Sequence, residues 1–110
     1  MMRDGIYKVY LDAGGAKGFI IGAMRDGHIT GCDQTHFITG RFSRRGNRVK
    51  GSFIFKRHSR RSDFREIANL DDFETPFSGV CSDSFGQLEA AVPERPGLKV
   101  VATFRWVCEV

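Results

Sequence analysis

Every second residue from Leu98 to Cys108 is apolar or a small hydrophobe, as Leu98, Val100, Ala102, Phe104, Trp106 and Cys108 succeed one another with polar and β-branched residues between them. A period of two can be used only by an extended strand with one buried face. The same period returns along most of the chain, in short runs punctuated by glycines at the spacing of hairpin turns. The rhythm is that of an antiparallel sandwich or barrel, and it leaves little room for the crossover helices a parallel sheet needs.

The first strand reads from Ile6 to Leu11, with Tyr7, Val9 and Leu11 on one face, and a glycine turn within Asp12 to Ala16 leads to a second strand, Lys17 to Met24. Arg25-Asp26-Gly27 closes a hairpin, because Asp-Gly supplies the positive φ values of a tight β-turn, and His28 to Cys32 is a short third strand. The fourth, Thr35 to Ser43, carries Ile38, Gly40 and Phe42 on one face, and the turn Arg44 to Asn47 hands it to a long fifth strand, Arg48 to His58. Asp72 to Ser82 resumes the alternation with Phe73, Thr75, Phe77, Gly79 and Cys81 on the inner face. Pro76 has the outward parity and no N–H to give a ladder, which predicts an edge or a bulge there. Asp83 to Val92 supplies a turn and a seventh strand, and Leu98 to Cys108 is the eighth. Between the fifth and sixth strands, Asp63 can cap a short helical turn over Phe64 to Leu70, with Glu66 three residues on.

These elements predict an all-β, eight-stranded antiparallel up-and-down barrel, lipocalin- or calycin-like, with one short helical turn over a barrel mouth. At 110 residues the chain is one domain spanning 1–110. Ten Phe and a single Trp predict an aromatic interior, and parity places Phe42, Phe53, Phe55, Phe77, Phe104 and Trp106 in it. A barrel of this strand number is just filled by side chains or holds one small ligand. So many rings favour a full barrel, and a carrier of a small apolar ligand is the alternative. The second strand is apolar on both faces, Phe19 and Ile21 opposing Ile20 and Met24. That predicts a homodimer contact made by Ile6, Tyr10, Ile20 and Met24.

The net charge is +4 and no carboxylate occurs between Arg41 and Ser62. This asymmetry predicts a basic surface for an acidic protein partner, carried by Arg44, Arg45 and Arg48 with Arg57, Arg60 and Arg61. Weak, non-specific nucleic-acid binding is the alternative, although Phe53 and Phe55 take the opposite parity to Lys50 and Lys56 and so form no basic stacking platform. Three scattered histidines and three cysteines without Cys-x-x-Cys spacing predict neither a metal site nor a disulfide, with Cys81 and Cys108 as buried thiols. Cys32 and His36 are near in sequence but belong to no nucleophile motif, and Asp71, Asp72 and Glu74 read as a solvated acidic group. No glycine-rich phosphate loop precedes a helix. The expectation is a non-enzymatic protein with no cofactor and no catalytic residues. No run of about 18 apolar residues and no signal-peptide stretch occurs, so a cytoplasmic location with no membrane partner is expected.

Asp4-Gly5-Ile6-Tyr7, the run Gly27 to Asp33, Thr39-Gly40 before the basic turn, and Asp71-Asp72-Phe73 leading to Ser78-Gly79 together resemble the GrlR-like family, negative regulators of type III secretion and their uncharacterised bacterial relatives. The resemblance spans nearly the whole chain. It implies a lipocalin-like barrel, a tendency to dimerise, and regulation by binding a protein activator. In the family's regulator a short acidic run on a mid-chain turn engages that activator. The nearest positions here are Arg44, Arg45, Gly46 and Asn47, which reverse the charge and so point to a different, acidic partner.

Overall fold

The computed structural model describes residues 2–59 and 71–110. Eight strands follow one another: β1 (Gly5–Ala13), β2 (Ala16–Arg25), β3 (His28–Cys32), β4 (His36–Arg45), β5 (Arg48–Arg57), β6 (Asp72–Cys81), β7 (Phe85–Ala91) and β8 (Lys99–Cys108). Each pairs antiparallel with its successor, and β8 returns to β1 to close the barrel. The predicted helical turn over Phe64 to Leu70 lies outside the described residues.

Short turns set the register. Gly14-Gly15 and Asp26-Gly27 take positive φ at both central positions, the left-handed pair that a two-residue hairpin turn requires and that Asp and Gly tolerate best. The first turn pairs Ala13 with Ala16 and therefore Val9 with Ile20. Because side chains alternate with period two, that pairing fixes the whole of β2. Ile20 and Met24 consequently point inward and are buried, whereas Phe19 and Ile21 point outward and are about half exposed. The predicted dimer contact through Ile20 and Met24 is thereby corrected: both are core residues. Of its other two members, Ile6 is partly buried and Tyr10 is exposed on the outer surface.

The interior alternates large and small residues so that rings fit within a narrow barrel. Gly51 lies in register with Phe42 on one side and Phe77 on the other, and Gly40 lies beside Phe53. Phe53 stacks on Phe77 with ring centroids 4.5 Å apart, Phe42 meets Phe77 at 4.8 Å, and Phe104 closes the cluster 5.4 Å from Phe42. Toward one mouth, Phe55 stacks on Phe73 at 4.5 Å and the buried His36 ring meets both edge-on. At the opposite mouth Met2 and Tyr7 are buried, and the Tyr7 hydroxyl donates to the carbonyl of Arg3 at 2.5 Å, with that of Asp83 at 3.2 Å.

Trp106 does not join this interior. It has the inward parity, but β8 outruns the packed core and the indole lies half-buried at the rim, donating Nε1–H to the Asp4 carbonyl (3.0 Å) beneath the Arg3 guanidinium (3.8 Å). Cys108, one turn of the alternation further, is exposed. Only Cys81 is buried; the expected burial of Cys108 is corrected because the β1–β8 register shifts by one residue between Ile6 and Tyr7, a bulge that sets Cys108 opposite Ile6 on the outer face rather than on the inner one.

Candidate functional site

The barrel leaves an internal cavity of about 30 Å³ among Ile20, Ile38, Phe53, Phe55, Phe73 and Phe104. Sites for small molecules run from roughly 300 to 1,000 Å³. Among the side chains lining it, only Thr75 brings a polar atom, and its Oγ1 has no hydrogen-bond partner. A single hydroxyl cannot hold a water, which needs two to four polar contacts. Predicted interior residues Phe42, Phe53, Phe55, Phe77 and Phe104 are all where parity put them, and together they account for the small lumen.

Apart from the Tyr7 hydroxyl at the opposite mouth and Thr75 in the cavity, the buried polar side chains among the described residues gather at one end. His36 Nδ1 and Thr35 Oγ1 are 2.9 Å apart, and the Asp33 carboxylate accepts from the N–H groups of Thr35 (2.8 Å) and His36 (2.7 Å). His58 Nε2 holds the Asp33 carbonyl at 3.0 Å. These bonds tie the β3–β4 turn to the end of β5. Sequence reasoning missed the burial of His36, although it shares parity with Ile38, Gly40 and Phe42. Cys32 faces outward and His36 inward, so the barrel wall separates them. Among the described residues no three His, Cys, Asp or Glu side chains are grouped to hold a metal ion.

The wider grooves lie on the outer surface of the barrel. The basic residues singled out in the sequence do not form one patch. Arg48 and Arg57 begin and end β5, about 30 Å apart at the usual strand rise. Arg57 donates Nε–H to Asp71 at 2.6 Å, and Arg44 engages Asp83 at 3.0 Å and the Gly46 carbonyl at 2.5 Å. These two arginines hold turns together, and Arg60 and Arg61 lie outside the described residues.

Arg45 and Arg48 remain, and the structure adds two residues to them. On the outer face Arg45 stands directly opposite Arg48, Ser43 opposite Lys50 and Arg41 opposite Ser52. Arg41, Arg45, Arg48 and Lys50 are all exposed, and none has a carboxylate within 4 Å among the described residues. Carboxylates nearby are engaged elsewhere: Glu89 with Lys99 at 3.4 Å, and Glu74 with the Ser52 hydroxyl at 2.8 Å. Like charges directly across a ladder oppose pairing. Arg45, Arg48 and Lys50 line a surface groove whose far wall is Ser78 and Val80 of β6 with Gln87 and Glu89 of β7. The β4–β5 hairpin thus presents a cationic strip beside a shallow trough, a geometry suited to an acidic, extended surface.

Compared with protein-family models and with curated proteins, the sequence matches none.

Proposed function

We propose that the chain is a non-catalytic regulatory or interaction protein that binds an acidic protein surface through the outer strip of the β4–β5 hairpin, in the manner its resemblance to the GrlR-like regulators suggests. One observation carries the reading: Arg41, Arg45, Arg48 and Lys50 stand side by side on one face with no carboxylate within 4 Å among the described residues. A strip of this kind steers and orients an oppositely charged partner more than it stabilises the fold. The small apolar lumen supports this reading over that of a ligand carrier, since about 30 Å³ is a tenth of the smallest ordinary ligand site.

The test is affinity capture from a nuclease-treated lysate of the source cell, with wild-type protein and the Arg45→Glu/Arg48→Glu variant as paired baits. Acidic proteins held by the wild type and released by moderate salt are expected to be lost from the variant, whose melting temperature stays within about 2 °C because exposed turn charges contribute little to stability. Identical partner sets on both baits defeat the reading. Capture that disappears with nuclease alone assigns the strip to nucleic-acid backbone instead.

A further inference from the structure

Closed barrels protect their strand edges by pairing them, yet two ladders here stop short, and the two openings are built differently. Hydrogen-bond parity around the barrel follows from bonds such as Phe42 N–H to Gly27 and Arg57 N–H to Asp71. By that parity the even-numbered residues of β6 face β7, and the odd-numbered residues of β2 face β3.

The first opening is guarded. Pairing of β6 with β7 ends at Phe77, opposite Ala90. The next bond would come from residue 76, which is Pro and has no N–H, so the proline itself stops the ladder. Beyond it the open edge carries Glu74 and Asp72, whose carboxylates are held by Ser52 and by the Arg57 N–H. Proline and charge are the ordinary devices for keeping an edge from pairing. The expected edge position of Pro76 is thus found, as a local edge within a closed barrel.

The second opening has neither device in working order. β3 is five residues long and pairs with β2 only from Ile21 onward, opposite Cys32. Among the described residues, Lys17 and Phe19 therefore turn their N–H and C=O groups toward a side with no strand, and no hydrogen bond reaches them there. There is no proline, Gly18 between them brings no side chain to block approach, and the one charge, Lys17, is drawn back across β1 by Asp12. Beside this edge runs a groove walled by Phe19, Ile21 and Tyr10 on one side and the Cys32–Thr35 turn on the other. Its apolar side chains are 46–49% exposed, and Tyr10 and Phe19 pack ring to ring at 5.3 Å.

We propose that the Lys17–Phe19 edge is a docking slot for an extended segment of another polypeptide, which adds to β2 in line with β3 and lays alternate apolar side chains against Phe19 and Ile21. Main-chain bonds to Lys17 and Phe19 supply the pairing, as in other strand-addition complexes. The turn wall at Asp33 to Thr35 decides between occupants: a groove bounded on both sides admits one strand, whereas the convex flank of a second barrel cannot enter it. This surface lies apart from the basic strip, and either can fail without the other.

The experiment selects linear nonapeptides from a display library on the wild-type protein and, in parallel, on Phe19→Pro. Proline at this position removes the N–H that faces the opening together with the Phe19 ring that walls the groove, both parts of the proposed slot, and spares the N–H groups by which the even-numbered residues of β2 bond to β1. Peptides alternating apolar and polar residues are expected to enrich on the wild type, to bind Phe19→Pro at least tenfold more weakly, and to slow amide exchange at Lys17 and Phe19 at least tenfold in the complex. Should Phe19→Pro not fold, the exchange measurement on the wild type decides alone. No enrichment, equal binding to both baits, or binding that leaves both amides unprotected overturns the proposal. Exchange protection that appears without peptide as concentration rises, together with a doubled mass in light scattering, overturns it in favour of a second copy.

Discussion

Phe104→Ala would remove a ring that is 1% exposed and touches both the aromatic cluster and the existing cavity. Losing its buried apolar surface costs about 2–3 kcal/mol. The vacated space, on the order of 100 Å³, merges with the cavity and adds about 2 kcal/mol at the usual cost per unit of cavity volume. A total near 4 kcal/mol is expected. For a domain of this length each kcal/mol lowers the melting temperature by about 4 °C, so calorimetry should record a fall of about 15 °C. Benzene should restore part of it, because the enlarged cavity is dry and apolar. Trp106→Ala should cost less than half as much, since the indole is half-buried at the rim and loses chiefly one hydrogen bond and the Arg3 stack. Equal losses for the two variants, or a fall below about 4 °C for Phe104→Ala, would refute this account of where the core ends.

Burial pushes the Tyr7 hydroxyl from 10.0 up to about 12. The unfolded chain therefore loses this proton first, and stability should decline between about pH 10 and pH 12; melting curves across that range should show a decline in the wild type that Tyr7→Phe lacks. Gly51→Ala would drive a Cβ into the Arg41 carbonyl oxygen and the Phe77 ring, and a loss of about 3 kcal/mol or more in urea denaturation is expected. Gly46→Ala meets nothing within 4 Å and should cost only about 1–2 kcal/mol, for its φ of 63° alone.

Most of the strand map was legible because it rests on a period that turns cannot disguise. Phe42, Phe53, Phe55, Phe77 and Phe104 were readable as interior from parity within their own strands. β2 was not, because Phe19, Ile20 and Ile21 make both faces apolar and Gly18 and Gly22 mark neither. The missing information was in the turn: a two-residue connection at Gly14-Gly15 sets Ile20 opposite Val9, whose inward direction was already plain. Parity also says nothing about where along a strand the packed interior stops, so Trp106 was placed too deep, and it does not foresee the bulge after Trp106 that turns Cys108 off the inner face. The basic surface failed differently. Residues close in sequence on one long strand, Arg48 and Arg57, stand at opposite ends of the barrel, and the carboxylates that neutralise Arg44 and Arg57, Asp83 and Asp71, come from the segments just after and just before β6. The open edge at Lys17 could not be read at all, since it depends on how far β3 extends beside β2.

The ladder order also bears on how the chain reaches this fold and how it could be rewired. Seven of its eight pairings join consecutive strands, so each hairpin can form with a small loop-closure penalty before the next is added. The eighth, between β1 and β8, spans the whole chain and must come last or wait on the others. Joining residue 110 to residue 2 and cutting at the Gly46-Asn47 turn would convert that distant pairing into a neighbouring one and make β4–β5 the closing pair. The permuted chain should keep the same barrel, yet the hairpin carrying the cationic strip would become its final act of assembly. Folding rates of the two forms, compared with the effect of Gly51→Ala in each, would show which seam limits closure.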